Sequence, residues 1–252
     1  MGAMFRIATV CLGALCLAWA LQMHFEGVAD QLIGGDQEHT LRVALQHDYG
    51  EILSDYDSSD NSIPLTLYGR LPIEHGGLTE MGMRLPIMIF DVSLLLAPLL
   101  LLRRLGLATT AATMLLLACC PLVIHYAVVV RPYTPATVFT FLAFIAWDRW
   151  LHGTTHPKTN TGLPWAGLAF AVCGALAIFW HLYCLVPIAT LLLLAITGAA
   201  GPRPPWRKLL LVSTLCAALV ALLLSPGFSG LIDHRLNKVG SATNFWESSQ
   251  HS

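Results

Sequence analysis

The stretch HDYGEILSDYDSSDNSIPLTLYGRL, at residues 47–71, is the polar centre of a chain that is otherwise close to continuous hydrocarbon. It lies within a longer polar segment, residues 24–84, that holds eleven of the fifteen acidic residues and only three arginines, so the formal charge of the segment is −8. The whole chain, by contrast, has a net charge of only −1. This segregation of carboxylates predicts that the chemistry of the protein is located in this segment.

The composition predicts a polytopic membrane protein. Of the 252 residues, 56% are hydrophobic and only 12% are charged, whereas about 25% of the residues of a soluble domain are charged. The mean hydropathy is +0.65, and the apolar runs approach the ~20 residues that a helix needs to cross a bilayer. The seven cysteines all lie in apolar runs without metal-ligand spacing, so we interpret them as packing residues.

The predicted fold is an all-α, polytopic membrane helix bundle with about seven transmembrane helices and short interfacial helices in the first extracytoplasmic loop. The predicted spans are residues 5–23, 85–102, 107–130, 133–147, 162–180, 182–201 and 209–224. For the first span, a cleaved signal peptide is the alternative. In the loop, Asp36 follows two glycines and is a favourable helix start. Residues 63–70 have the amphipathic pattern of a helix at the membrane interface.

The distribution of basic residues predicts the orientation. With a cytoplasmic N-terminus, arginine and lysine clusters fall in alternate loops, at residues 103–104, 149–158 and 203–208, as the positive-inside rule requires. The acidic loop and the turns near Arg131 and His181 then lie outside the cytoplasm. No basic patch with interleaved aromatic residues is present, so we expect no nucleic-acid partner.

The predicted domain boundaries follow the apolar runs. Residues 1–225 form a transmembrane domain whose first extracytoplasmic loop covers residues 24–84. Residues 226–252 are predicted to be a polar extracytoplasmic tail or, as the alternative, the start of a further C-terminal part.

Three polar features meet on the predicted outer side: the acidic loop, HYAVVVRPY at residues 125–133, and WHLY at residues 180–183. An arginine at membrane level suits a phosphate because its guanidinium stays charged and makes bidentate hydrogen bonds. A carboxylate beside it could take a proton from an attacking hydroxyl. The pattern therefore indicates a phosphate-bearing lipid and a general base, although Arg131 snorkelling at the interface is the structural alternative.

Two further groups of acidic residues have alternative interpretations. Asp91 lies within the second predicted span, where a charge is costly, so we expect it to pair with an arginine or to line a cavity. Asp55, Asp57 and Asp60 are typical of a solvated turn, and a loosely held divalent cation is the alternative. No cofactor is otherwise predicted.

The motifs Arg84-Leu85-Pro86 and HYAVVVRPY resemble those of integral-membrane glycosyltransferases of the GT-C class. More narrowly, they resemble the lipopolysaccharide-core RgtA/B/C/D-like and ArnT/protein-mannosyltransferase-like group, over residues 5–200. The resemblance implies an inverting transferase in a bacterial inner membrane, with its active site facing the periplasm. Its partners would be a polyprenyl-phosphate-linked sugar donor, a lipid, glycan or protein acceptor, and the bilayer itself.

The resemblance also assigns roles by position: it implies catalysis by Asp36 and donor-phosphate binding by Arg131 and Tyr133. Arg84 and His181 are predicted to assist at the phosphate, and the predicted acceptor or loop residues are Glu38, Asp60, Asn61 and Tyr68. The sequence departs from the family pattern at two places. The acidic pair is separated by one residue, as Asp36-Gln37-Glu38, and Val129 stands where the family has a glutamate.

Two other functions remain open. A transporter or flippase for a lipid-linked glycan would place ionisable residues near the bilayer midplane and would break paired helices; Asp91 is its candidate residue. A non-catalytic accessory membrane protein is compatible with the valine at position 129.

Overall fold

The computed structural model describes residues 14–15, 18–19, 21–23, 26, 36–54, 62–75, 79–153, 165–199, 201 and 203–227. Within these ranges every regular element is a helix and none is a strand, which confirms the predicted all-α class. The α-helices are α1 (Asp36–Gln46), α2 (Tyr49–Ser54), α3 (Ile63–Glu74), α4 (Glu80–Leu96), α5 (Leu102–Ala118), α6 (Pro121–Val128), α7 (Tyr133–Gly153), α8 (Trp165–Trp180), α9 (Leu185–Thr197) and α10 (Trp206–Leu224). Short 3-10 turns extend α4 (Ala97–Leu101) and α10 (Ser225–Gly227) and precede α9 (Leu182–Cys184).

The number of spans differs from the prediction of about seven. In the part of the chain that the structure describes, two helices are long and apolar enough to cross a membrane, Glu80–Leu101 and Trp206–Gly227. A third span results if the bent pair Arg104–Ala118 and Pro121–Val128 is one span. The first predicted span, residues 5–23, lies outside the described residues except at isolated positions. Membrane-spanning helices are therefore present as candidates, but fewer than the sequence predicted.

Helix length and polarity account for the shortfall. Helix α8 has 16 residues, which at 1.5 Å per residue extend about 24 Å, short of the ~30 Å hydrocarbon core. Helix α9 has only 13 residues. Helix α7 is 21 residues long, but its sequence is interrupted by threonines and carries Asp148 and Arg149 in its last two turns. Helices thus occupy the second to seventh predicted spans, but several lack the length or apolarity of a full crossing.

The break between α5 and α6 has a local cause. The two helices meet at an angle of 58°, where Pro121 begins α6. Proline is favoured in a first helical turn but cannot continue the preceding hydrogen-bond ladder. A second break lies inside α5, where Gly106 adopts φ +76°, a conformation that glycine adopts without steric cost.

The main core lies between α7, α8 and α10. Helix α7 contributes the buried Trp147 and Trp150, and Phe170 of α8 stacks on Trp150 with ring centroids 6.5 Å apart. Helices α8 and α10 approach closely because Gly167 faces the side chain of Val212. Small residues at helix contacts allow this approach in membrane bundles.

One end of the bundle, which we call the loop end, carries helices α1–α3. Helix α3 packs on α1, where Gly69 fits between Ala44 and Met83. The hydroxyl of Ser62, just before α3, donates to the carbonyl of Trp180 at 3.4 Å, which ties the loop to the last residue of α8. The starts of α4 and α7 and the ends of α6 and α8 all lie at this end.

The other end of the bundle, the opposite end, joins the start of α5 to the end of α7. The guanidinium of Arg104 forms an ion pair with the carboxylate of Asp148. The next residue, Arg149, donates from Nη2 to the carbonyl of Leu100 at 2.7 Å. These two contacts hold three helix ends together at the opposite end.

Candidate functional site

A cavity of about 360 Å³ opens at the loop end between α4, α6, α7 and α9. Its walls are mainly apolar, whereas its rim carries phenol, imidazole and hydroxyl groups. The lining residues are Leu94, Leu122, Val123, Tyr126, Tyr133, Thr134, Ala136, Thr137, His181, Tyr183, Cys184 and Pro187. An apolar recess with a few convergent polar groups is the usual form of a small-molecule site, so we take this loop-end cavity as the candidate site.

Aromatic rings form a continuous row along the rim of the cavity. The ring centroid of Tyr133 lies 4.5 Å from that of Tyr126 and 5.1 Å from that of His181. The row continues to Tyr183, at 5.3 Å from His181, and at its other end to His125, at 5.2 Å from Tyr126. Tilted ring pairs at 4.5–7 Å are favourable. The row joins the α6–α7 turn to the α8–α9 turn.

His181 owes its position to the end of α8. Its backbone leaves the helix in an extended conformation, and its Nδ1 accepts the backbone N–H of Tyr183 at 3.4 Å, which caps the following 3-10 turn. A ring nitrogen that accepts a hydrogen bond carries no proton in neutral imidazole. The proton of neutral His181 is therefore assigned to Nε2, and the ring is a hydrogen-bond donor through that atom.

The α6–α7 turn holds Arg131 and Tyr133. The backbone N–H of Arg131 donates to the carbonyl of Val129 at 2.8 Å, a tight turn around the buried Val130. The hydroxyl of Thr134 donates to the carbonyl of Tyr126 at 2.8 Å and closes the turn. Arg131 is only 9% exposed, so its charge lies where water screens it poorly.

Arg84 lies in the second helical turn of α4 and contacts the chain just before the α6–α7 turn. Its side chain is 1% exposed, and its Nη2 pairs with Oε1 of Glu80 at 2.5 Å. Its Nη1 donates to the carbonyl of Val128, the last residue of α6, at 3.3 Å. Carbonyls in the last helical turn lack a partner within the helix, and Arg84 supplies one. The predicted phosphate-binding residue thus has a structural role in fixing the end of α6.

Asp91 is buried in α4, seven residues after Arg84 and hence near the same helix face. Its neighbour Phe90 makes edge-to-face contacts with Trp180, at 5.5 Å between centroids, and with Phe139, at 5.6 Å. A carboxyl buried in a candidate membrane-spanning helix is a second feature that needs a functional or structural explanation.

The loop residues predicted to be functional are only partly placed. Asp36 is the first residue of α1, but its side chain lies outside the described part, and Glu38 is exposed on the same helix. Asp60 and Asn61 lie outside the described residues. Tyr68 is bound to α4, where its hydroxyl donates to the carbonyl of Gly82 at 2.7 Å. Burial raises the pKa of the Tyr68 phenol above its usual value.

Several loop carboxylates stabilise helices instead of forming a site. The N–H of Glu51 donates to Oδ1 of Asp48 at 2.8 Å, and the N–H of Asp48 donates to Oε2 of Glu51 at 3.0 Å. This reciprocal capping box begins α2. Glu74 accepts from Tyr49 Oη at 3.0 Å and from Arg70 Nε at 3.2 Å. The concentration of carboxylates in the loop is therefore not by itself the signature of a catalytic centre.

The structure brings Tyr133 and His181 together on the rim of the cavity, whereas Arg131 lies two residues before Tyr133 in the chain and is not among the lining residues. The lining also includes Tyr126 and Tyr183, which stand in the polar segments 125–133 and 180–183 but were not predicted as site residues, and Thr134. Tyr126 lies near the end of α6 and Tyr183 lies in the 3-10 turn before α9, so both stand next to the turns that the sequence had already indicated. No group of three or more His, Cys, Asp or Glu side chains in the described ranges could hold a metal ion. The alternative of a cation at residues 55–60 falls outside those ranges.

Comparisons of the chain with protein-family models, curated proteins and solved structures give no match. The class of protein is therefore defined by the fold and the cavity alone. Over its described residues, the chain is all-helical, with two to three candidate membrane-spanning helices and an amphiphilic cavity at the loop end.

Proposed function

We propose that the protein is a membrane glycosyltransferase of the GT-C type. It moves a sugar from a polyprenyl-phosphate-linked donor to a lipid, glycan or protein acceptor. In this proposal the loop end faces the periplasm of a bacterial inner membrane. Helices α7, α8 and α9 complete a bundle of about seven spans, because thinning of the bilayer accommodates short helices at modest cost.

The observation that carries the proposal is the amphiphilic loop-end cavity. Leu94, Leu122 and Val123 supply an apolar wall on α4 and α6, whereas Tyr133 and His181 supply polar groups at the rim. A polyprenyl-phosphate sugar has the same division, with a hydrocarbon chain joined to a charged and hydroxylated head. The wall accommodates the first prenyl units, and the rim meets the head.

The electrostatics of the α6–α7 turn favour an anionic head. Arg131 lies two residues before the cavity residue Tyr133 and is almost inaccessible to water. In the proposal its guanidinium binds the donor phosphate, and His181 donates from Nε2 to the same group. Charge develops on the phosphate as the sugar leaves, and donors fixed beforehand stabilise that charge most in the transition state.

Asp36 completes the proposed reaction. Its carboxylate takes the proton of the acceptor hydroxyl, whose oxygen forms a bond to the anomeric carbon while the bond to the phosphate oxygen breaks. Polyprenyl phosphate leaves with the electron pair, and the anomeric configuration inverts. Support for this role is the position of Asp36 at the start of α1, in the loop that Ser62 ties to Trp180.

The test is sugar transfer from labelled polyprenyl-phosphate donors in membranes that contain the wild-type protein or single variants. Asp36→Asn is expected to lower transfer about 10²–10⁴-fold, as loss of a general base does. Arg131→Ala is expected to lower it about 10²–10³-fold. The matched controls are Asp148→Asn, whose carboxylate pairs with Arg104 at the opposite end, and Arg203→Ala, whose arginine caps α9 at the same opposite end.

Equal transfer by all variants would preserve the class of enzyme but overturn the residue assignment. Donor binding without transfer by correctly folded wild-type protein would favour the accessory function. In that case the aromatic rim would serve to hold a lipid-linked sugar for another enzyme.

A transporter of lipid-linked glycans is the second candidate, favoured by the buried Asp91 and the 58° bend between α5 and α6. Transporters use ionisable groups inside the bundle and interrupted helices. Proteoliposomes with a fluorescent lipid-linked glycan separate the two functions. A transporter would translocate the glycan and lose that activity in Asp91→Asn, whereas the proposed transferase would not translocate it.

A further inference from the structure

A second recess, separate from the loop-end cavity, lies between α8, α9 and α10. This lipid groove has a volume of about 540 Å³, and its lining is almost entirely apolar. Small side chains shape its floor on α10, chiefly Cys216, Ala217 and Ala221. Helix α9 forms the wall between the two recesses: Pro187 lines the loop-end cavity, whereas Ile188 lines the lipid groove.

The dimensions of the lipid groove suit a single hydrocarbon chain. Along α10 it runs from Ser213 to Ser225, which corresponds to about 18 Å of helix and to slightly more than one leaflet of a ~30 Å hydrocarbon core. A volume of about 540 Å³ spread over that length is a long, narrow space, which an extended hydrocarbon chain can fill.

The mouth of the lipid groove lies at the loop end beneath an acidic helix. Ser225 lines the mouth, and the turn Ser225–Gly227 contacts α2. Helix α2 and its cap carry Asp48 and Glu51, and His47 lies 3.4 Å from Glu51. Negative charge at the mouth disfavours a phosphate-bearing headgroup, whereas hydroxyl groups can donate hydrogen bonds to these carboxylates.

We propose that the lipid groove binds one chain of a lipid whose headgroup is uncharged and carries a hydroxyl, and that this lipid is the acceptor of the transferase. The acceptor role rests on the proposed function, whereas the binding does not. The two recesses divide the substrates by charge. The phosphate-linked donor occupies the loop-end cavity near Arg131, and the neutral acceptor lies across α9 with its hydroxyl beneath the acidic loop.

The closing experiment measures lipid binding to the full-length protein in nanodiscs by native mass spectrometry. The two probes are a dioleoylglycerol and the phosphatidic acid with the same chains, so that they differ only at the headgroup. Ala221→Phe fills the lipid groove, and the matched control Ala218→Phe places the same ring on an exposed position of α10 outside it. Glu51→Gln removes a charge at the mouth but retains the capping-box geometry.

The expected result is at least tenfold tighter binding of the dioleoylglycerol than of the phosphatidic acid. Ala221→Phe weakens diacylglycerol binding at least tenfold, Ala218→Phe leaves it unchanged, and Glu51→Gln reduces the preference severalfold. Equal binding by the two phenylalanine variants would identify the lipid as bulk annular lipid and overturn the proposal. Tighter binding of the phosphatidic acid would also overturn it.

The acceptor role has its own readout. Sugar transfer to the diacylglycerol should be lost in Ala221→Phe, while binding of the polyprenyl-phosphate donor is retained. The acceptor role would be refuted if the wild-type protein transferred sugar to a water-soluble acceptor at the same rate with and without the diacylglycerol. Absence of transfer to any acceptor would count against the transferase function, and the binding result would still decide the lipid groove.

Discussion

The two ends of the bundle each use an arginine–carboxylate pair, but with opposite members buried. At the loop end the side chain of Arg84 is 1% exposed, and that of its partner Glu80 is 49% exposed. At the opposite end the side chain of Arg104 is 47% exposed, and that of its partner Asp148 is 10% exposed. The protein therefore buries a cation beside the loop-end cavity and an anion at the far end of the same bundle.

This difference indicates what each pair does. The buried guanidinium of Arg84 has several donors, and one of them reaches the carbonyl at the end of α6, so the cation shapes the turn that carries Arg131. The buried carboxylate of Asp148 instead joins α7 to α5 and lies 3.4 Å from Nδ1 of His152 in its own helix. The first pair supports the candidate site, whereas the second fastens helices together.

The largest expected effect follows from removing the exposed partner at the loop end. Glu80→Ala leaves the guanidinium of Arg84 buried with less compensation, which should lower the free energy of unfolding by about 2–4 kcal/mol; fully buried pairs lose about 3–5 kcal/mol when broken. Arg84→Met should cost less, about 1–2 kcal/mol, because it removes the buried charge itself, leaves Glu80 hydrated and loses a hydrogen bond to a backbone carbonyl. Denaturant unfolding in detergent measures both values. The reverse ranking would contradict the assignment of Arg84 as the critical buried charge.

The next effect tests whether the close contact between α8 and α10, near the opposite end, contributes to stability. A Cβ at Gly167 would lie 3.1 Å from Cγ2 of Val212, so Gly167→Ala should push α8 and α10 apart and cost about 1–3 kcal/mol. The matched control is Gly174→Ala in the same helix, where the closest approach is an ordinary 3.4 Å. Thermal unfolding of the two variants should give the lower midpoint for Gly167→Ala. Equal midpoints would show that the α8–α10 contact is not tight.

Sequence alone predicts the helices well, because their apolar runs are local features. The second to seventh predicted spans all contain helices, and the short loop helices begin at Asp36 and Ile63 as expected. Among the described helices, fewer are long and apolar enough to cross a membrane than the sequence predicted, because hydropathy does not reveal where a helix ends. The break near Pro121 and the 16-residue length of α8 depend on backbone geometry that composition does not encode.

The candidate site was predictable only in part, for a related reason. Tyr133 and His181 are 48 positions apart in the sequence, and their ring contact of 5.1 Å exists only because α7 and α8 pack side by side. The role of Arg84 was likewise hidden, since its partner Val128 contributes a backbone carbonyl rather than a motif residue. The capping pair Asp48 and Glu51 shows the reverse. Its spacing of three residues can be recognised in the sequence, and its hydrogen bonds give a structural role to two of the loop carboxylates that the sequence analysis interpreted as functional.

A smaller effect distinguishes the two ends by charge. Arg104→Gln leaves Asp148 buried with His152 as its remaining described ion-pair partner, and it should lower the free energy of unfolding by about 1–2 kcal/mol. Asp148→Asn removes the buried charge itself, so it should cost less than Arg104→Gln. This ranking is the mirror image of the one expected at the loop end, where losing the carboxylate costs more. The same denaturant titrations measure both free energies of unfolding. If loss of the carboxylate cost more than loss of the arginine at both ends, or less at both ends, the proposed difference between the two ion pairs would be wrong.

The smallest expected effect concerns alkaline titration of the loop end. Partial burial and the hydrogen bond to Glu74 raise the pKa of the Tyr49 phenol above its ordinary value of 10.0, while Arg70 acts in the opposite sense. The folded state therefore holds this proton more tightly than the unfolded state. Its contribution to stability is complete below pH 10 and is lost as the pH rises through the raised pKa. Phenolate absorbance of the wild type and of Tyr49→Phe gives the titration of Tyr49 as a difference curve, expected to have its midpoint above pH 10. A midpoint at or below pH 10 would mean that Glu74 does not accept a hydrogen bond from the Tyr49 phenol. The contact between α2 and α3 would then lose its support, and with it the position of the acidic helix over the mouth of the lipid groove.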